Sequence, residues 1–416
     1  MKQRYIVFAV AVLASTLSQA MVFDNRFMPL IQHPYLMIEG RPSHIESDLF
    51  ITTADSGFAG NDTDAAIENG SEVGIGRIFG KYNQNDLAAA LVALGHPYPM
   101  RAEFAGKELP WDVDGKIQTQ GIAFSYQQEI RDWLSVGMYM AFMHVNSRYD
   151  FHLVKDKVAV FTPSERRELE EDRRFIHSAL HLNEQCSSQR GFGDIDAYIR
   201  FGHRCDYTLK FRSIQGGVRI GTLIPSGVRA VPDEPSTIPF GGNGHWGVYG
   251  SADAEFELKE DWKVGATFRL SKRFARTSLQ RMPIGNEPFI FGGVLGRLRV
   301  EPGMTIIFVP YFSFENLREG MGVRVQYTLI KHLRDNWTDE RRDKKVPVNL
   351  SAACEFSQWA SSYFTLSVLY DFGKTKVTRG FDPIITFAWD VPTALLVTPE
   401  NAVKTQKVSL GAEVAF

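Results

Sequence analysis

The residues with chemical potential are charged side chains at the polar positions of strand-like stretches. They are Asp194, Asp196, Arg200, Asp253, Glu255, Glu257, Arg269, Arg297, Arg299, Arg324, Glu355 and Glu413. Charges of both signs facing one enclosed space have two uses. They can pair across it and hold its shape, or they can line a wet pore and set which solutes pass. Facing lipid is closed to them, because an Arg or Lys at the bilayer midplane costs about 2–4 kcal/mol.

Nucleophilic chemistry would need a Ser within reach of a His and an orienting third group. His245 and Ser251 share a face but stand about 20 Å apart along one strand, too far for proton transfer. His144 and Ser147 fall on opposite faces, and His203 has no Ser beside it. His33, His44, His177, His181 and His332 are scattered, so the chain does not read as an enzyme. Gly191-Phe192-Gly193 and the run from Gly241 to Gly244 are not phosphate loops, since no helix follows them. Cys186, Cys205 and Cys354 make an odd set. A strand between the first two puts them tens of ångströms apart, beyond the ~7 Å a disulfide allows between α-carbons. No metal site or cofactor follows from three cysteines without His at ligand spacing.

The elements that must position these residues are strands. In the last stretch, 404–416, Val408, Leu410, Ala412, Val414 and Phe416 alternate with Lys407, Ser409, Gly411, Glu413 and Ala415. That is the period of a strand with one apolar face. Residues 245–259 and 262–271 repeat it. Further strands are expected at 44–53, 117–130, 134–151, 194–204, 208–221, 288–300, 304–315, 321–332, 346–358, 363–372 and 381–389. A bulge is expected near Gly216-Gly217, where the phase shifts. Trp246, Trp262, Trp389 and Phe416 stand where strand ends would meet the membrane interface.

Short turns at 131–133, 205–207, 259–261 and 301–303 alternate with long connections at 55–116, 153–191, 223–244 and 276–287. That asymmetry is the habit of an outer-membrane barrel. The expected fold is all-β: a transmembrane antiparallel β-barrel of about 14 strands, with long extracellular loops carrying short helices. One conflict attaches to that count. The charged connection 333–345 falls on the short-turn side, and dropping strands to 12 would move it outside. Asn85 or Asp86 can cap an apolar helix at 87–94, closed by Gly95 and Pro97. Thr162-Pro163-Ser164-Glu165 has the form of a capping box. It opens a helix to about residue 182, charged enough to be expected in solvent on a loop.

Lys2 and Arg4, an apolar run to Leu17, and Ser18-Gln19-Ala20 read as a cleaved secretory signal peptide over residues 1–20. Residues 21–43 carry Pro29, Pro34 and Pro42 and are expected to be an irregular periplasmic or plug segment. The barrel is expected over 44–416. With 35 Gly and 30 Phe in 416 residues, the chain is a glycine- and aromatic-rich β protein; its net charge of −2 argues neither for nor against nucleic acid, which the expected export disfavours.

The alternating tail ending in Phe416 resembles the C-terminal strand of Gram-negative outer-membrane β-barrel proteins, whose terminal Phe is read by the assembly machinery. The resemblance implies an outer-membrane location, with membrane lipid, lipopolysaccharide and that machinery as partners. In size, topology and the sequence Gly241-Gly242-Asn243-Gly244-His245-Trp246 heading a strand, the chain is also similar to the fatty-acid and aromatic-hydrocarbon transporter barrels. That likeness implies a plug and passage of a hydrophobic solute. Porin-like passage of polar solutes, a structural or adhesive barrel, and a lipid hydrolase are the alternatives.

Overall fold

The computed structural model describes residues 25–29, 42–60, 68–109, 111–154, 161–182, 185–207, 211–375 and 382–416. The expected signal peptide lies outside them. Twelve strands form one closed antiparallel ring. They are β1 Ser43–Ala54, β2 Trp111–Arg131, β3 Leu134–Leu153, β4 Ile195–Asp206, β5 Ser213–Ile224 and β6 Gly247–Lys259. The ring continues with β7 Trp262–Arg273, β8 Met304–Arg318, β9 Met321–His332, β10 Trp359–Asp371, β11 Ile384–Pro392 and β12 Gln406–Ala415. Each strand pairs with the next, and β12 returns to β1 in register from His44 opposite Ala415 to Thr53 opposite Gln406. Reciprocal backbone bonds between Ser43 and Phe416, at 3.0 and 2.9 Å, finish the seam. No open edge is left in the ring, which is what lets strands cross lipid.

The alternation turns out as expected. Ile45, Leu49 and Ile51 of β1, Phe268 and Leu270 of β7, and Val408 and Leu410 of β12 are exposed on the outside. Their neighbours Glu46, Asp48, Thr267, Arg269, Lys407 and Ser409 are buried inside. This is an outer-membrane-type barrel, and its apolar belt places it in the outer membrane. No helix among the described residues is long and apolar enough to cross a bilayer.

The ring has twelve members because two expected strands lie elsewhere. The stretch read as 288–300 becomes Val294–Glu301, which joins Arg276–Met282 and Asn336–Asp339 in a separate three-stranded sheet at the long-connection end. Met282, Val294, Leu298 and Val300 form its own small core. One dry face and one wet face give the same alternation as a barrel wall, so period alone could not separate them. The stretch read as 346–358 contains α3, Leu350–Ser357. With both removed, 301–303 is no barrel turn, and the charged connection 333–345 moves to the long-connection end.

Two strands are far longer than a bilayer needs. β2 has 21 residues and β3 has 20, against about 9–11 for a crossing. Above the apolar belt their outer faces turn polar, with Gln118, Gln120, Asn146 and Arg148 exposed. The strand Cys186–Phe192 extends this wall along β3, in line with β4. Its inner side is apolar. Val113, Ile117, Val145 and Tyr149 pack with Ile75, Ile78, Leu87 and Leu91 and with Leu169, Ile176 and Leu180.

Ile75 and Ile78 lie on a short 3-10 turn, Ile75–Phe79, while Leu87 and Leu91 come from one helix and Leu169 and Ile176 from a second, which Leu180 caps. α1, Gln84–Ala93, is capped by Asn83, whose side chain accepts from the Asn85 amide at 3.2 Å. Asn85 is instead buried, its amide nitrogen donating to Phe104 O at 2.6 Å. Gly95, at φ +92°, closes the helix. α2, Pro163–Ala179, carries the expected capping box between Thr162 and Glu165. It is not the solvated helix its charge suggests. Leu169 and Ile176 are fully buried, and each such side chain is worth about 1.5–3 kcal/mol. Arg173 is buried with them because its guanidinium lies over Phe151, 4.4 Å from the ring centre, and pairs with Glu170 at 2.7 Å.

No bulge occurs at Gly216-Gly217, where β5 keeps register with both neighbours. The glycines there do something else. The Arg200 side chain lies flat across Gly202 and Gly217. A Cβ on Gly217 would sit 2.5 Å from the guanidinium carbon. Gly221 is covered in the same way by the Tyr249 ring, and Gly265 by the Tyr311 ring.

Candidate functional site

The charged residues on the ring strands pair with one another or with neighbouring polar groups. Arg200 makes a two-point bond to Asp253, at 3.1 and 2.6 Å, and Arg219 approaches the same carboxylate at 3.4 Å. Arg269 reaches Asp196 at 2.9 Å. Asp194 accepts from Arg273 at 2.8 Å and from the backbone amides of Gly227 and Gly242 at 3.1 and 2.8 Å. Glu255 accepts from the Tyr311 hydroxyl at 2.7 Å, Glu257 from Ser213 at 2.9 Å, and Glu413 stands 2.8 Å from His44. Arg324 lies over the Tyr311 ring, 5.9 Å from its centre.

Three candidates do not line the lumen. Arg297 and Arg299 are exposed on the separate outer sheet, and Glu355 is exposed on α3 near Arg334. The aromatics Trp246, Trp262, Trp389 and Phe416 are all exposed, with Trp246 at the long-connection end and Trp262 and Phe416 at the short-turn end.

The paired charges decide between the two uses open to them. Arg200, Arg269, Tyr139 and Tyr363 are each at most 2% exposed, although all face inward. A water-filled pore would wet such residues. Here side chains from strands up to three apart in the ring, Arg269 and Asp196 among them, pair inside it and are closed to water.

Space opens at the long-connection end instead. A cavity of about 250 Å³ lies there, among the ends of strands β6 to β10, the connection 230–245 and the outer sheet. Its apolar walls are Phe27, Phe79, Tyr149, Phe289, Trp337 and Trp359. Phe79 and Phe289 meet edge to face, as do Phe289 and Trp337, with ring centres 5.3 and 5.2 Å apart. Residues 25–27 reach this cavity from the N-terminal side. Arg26 donates to the carbonyls of Phe356 and Ser357 at 2.8 and 2.9 Å, at the C-terminal end of α3. A cation is favoured there, where helix carbonyls lack partners.

The cavity's polar wall was not legible as a set. His332 Nε2 lies 2.8 Å from Asp335 Oδ1, and His332 Nδ1 lies 2.8 Å from Thr305 Oγ1. The ring also stacks on Trp359 at 5.7 Å. Burial alone would raise the Asp335 carboxyl, but bonds from His332, the Gly303 amide and Trp337 bring it below the ordinary carboxylate range. His245 completes the wall, with Nδ1 2.9 Å from Phe274 O. The spacing of His332 and Asp335 across a strand end was the one available signal. Thr305, on the neighbouring strand, gave none. His144 likewise meets Ser188 across strands, at 2.9 Å on the exposed outer face. His245 and Ser251 stay apart, at the head and inside of the same strand region.

No protein-family model matches the chain, and no curated protein matches it. Among solved structures, the fold is similar to that of an outer membrane channel from Pseudomonas putida F1. The TM-score is 0.50 and the identity 11%, over 91% of this chain and 97% of that one. A FadL homologue from Pseudomonas aeruginosa aligns over 91% of each chain, with 10% identity and a TM-score of 0.33. The CymD monoaromatic hydrocarbon channel aligns over 90% of this chain and 89% of its own, with 10% identity and a TM-score of 0.32. The fold class is that of Gram-negative outer-membrane β-barrels.

Proposed function

We propose that this barrel passes small solutes across the outer membrane, and that the solute is chiefly apolar. One observation carries the reading: an aromatic-walled cavity at the long-connection end stands over a ring whose inward charges are paired and buried. Apolar walls with a few placed polar groups are the ordinary make-up of a small-molecule site. Paired, buried inward charges suit a solute that is bound and handed on rather than one that diffuses through water. The similar fold of a bacterial outer membrane channel supports passage in general terms. In this reading segment 21–43 acts as the plug, with Arg26 anchoring it to α3. No catalytic step is proposed.

Planar bilayers and loaded liposomes test this together. The expected result is little steady conductance but saturable uptake of an apolar aromatic compound. Ala230→Trp, which fills the cavity from its wall, should abolish uptake while leaving a folded barrel. A large steady conductance in the unmodified protein would overturn the reading in favour of a porin.

A further inference from the structure

We infer that the outer wall seats one phosphorylated glycolipid of the outer leaflet, lipopolysaccharide, with an acyl chain in a furrow across β12, β1, β2 and β3 and a phosphate on Arg190. The site lies on the lipid side of the wall, apart from the cavity.

The furrow has a volume of about 740 Å³. Leu410 of β12, Leu49 and Ile51 of β1, Ile122 of β2 and Phe142 of β3 line it, and Phe387 of β11 ends it. These side chains belong to the outward-facing set, so the furrow opens to lipid. From β11 to the strand Cys186–Phe192 it crosses five strand spacings, about 24 Å at ~4.8 Å each. Barrel strands tilt by about 35–45°, so a track across them also climbs the wall. One leaflet is half of a hydrocarbon core about 30 Å thick, and the track is long enough for an acyl chain within it.

The other end of the furrow is polar, made by Gln120, His144 and Arg190. It stands where the apolar belt stops. Phe142 and Phe192 close the belt there, with ring centres 5.1 Å apart. The Arg190 guanidinium lies over the Phe142 ring, 5.3 Å from its centre, so its stem rests on apolar surface and its head meets water. A planar guanidinium fork matches a phosphate. The other cations on this face are already answered. Arg148 pairs with Asp150 at 3.1 Å, and Lys116 stands opposite Asp55, one step in register beyond Ala54 and Ile117. Arg190 has no carboxylate partner among the described residues. Gln120 and Ser188 flank His144 at 3.5 and 2.9 Å and present amide and hydroxyl groups at the height of a sugar headgroup. The long-connection end of such a barrel faces outward, so this edge meets the leaflet whose lipid carries both sugar and phosphate.

The test titrates the full chain in a non-ionic detergent with diphosphoryl lipid A, and with the same lipid A stripped of its phosphates. Native mass spectrometry counts the lipid bound. One diphosphoryl lipid A per barrel should be held about tenfold more tightly than the stripped form, the scale of one charge-assisted hydrogen bond at a wet surface. Arg190→Gln should erase that difference and Arg190→Lys should keep part of it, while the stripped lipid binds both variants as it binds the unmodified chain. Ile122→Trp, which fills the furrow, should weaken both lipids. Arg318→Gln, at an exposed cation of the short-turn end, should change neither. Equal binding of the two lipids by the unmodified protein, or an undiminished difference in Arg190→Gln, would overturn the site. An equal loss in Arg318→Gln would overturn it too, by showing attraction to charge in general, and undiminished binding by Ile122→Trp would remove the furrow from it.

Discussion

Arg269 of β7 donates to Asp196 of β4 at 2.9 Å, passing over the two strands that separate them in the ring. Both side chains are almost completely buried. The bond is a chord that ties two parts of the wall together. Removing one partner strands the other charge, a loss of about 3–5 kcal/mol where the pair is buried. Arg269→Leu should therefore lower the urea midpoint of the folded, heat-modifiable form. Adding Asp196→Leu should recover much of the loss, because no charge is then left unmatched. An Arg269→Leu barrel as resistant as the unmodified one would show the chord to be idle.

Helix α2 should loosen as pH falls. His177 is buried against Tyr82, whose hydroxyl is 2.9 Å from Nε2. Burial, with Arg173 and Arg281 nearby, brings its pKa down to about 3. In the unfolded segment it titrates near 6.5. Below that pH the open form takes up a proton that the docked form refuses. Docking is thus fully supported above about pH 6.5 and weakens by about 1.4 kcal/mol per unit down to about pH 3. Hydrogen exchange of the α2 amides should quicken between pH 7 and pH 5 beyond the intrinsic pH effect. His177→Phe should flatten the trend, and an unchanged profile in that variant would refute it.

The cysteines report orientation. Cys186 and Cys205 are exposed, and Cys354 is buried in α3. Cys186 opens its strand at the long-connection end, while Cys205 lies near the short-turn end of β4. On intact cells a membrane-impermeant maleimide should label Cys186 alone. Cys205 should react only after the outer membrane is permeabilised. The opposite order would invert the barrel.

The barrel wall was legible because lipid on one side and a polar lumen on the other impose a period of two that nothing local disguises. Val408, Leu410 and their neighbours show it to the last residue. The strand count was legible only as the alternative of twelve, to which the charged connection 333–345 pointed. Leu298 and Val300 alternate with Arg297 and Arg299 for a different reason, a small core of their own beside water. Gly217 looked like part of a backbone irregularity because what covers it, the Arg200 side chain, comes from another strand. The cavity was hidden for the same reason. His245, Thr305 and Asp335 are brought together by the ring's closure, which no local spacing encodes.

The side chains that lie flat over glycines constrain how this chain can vary in descent. A bulkier residue at Gly217 has no room while Arg200 reaches for Asp253, and Gly221 and Gly265 stand in the same relation to Tyr249 and Tyr311. Each pair can change only in concert, small beside large or the reverse. Lineages of such barrels should carry linked exchanges across adjacent strands, a signature of how the interior is stocked that survives even where overall resemblance has faded.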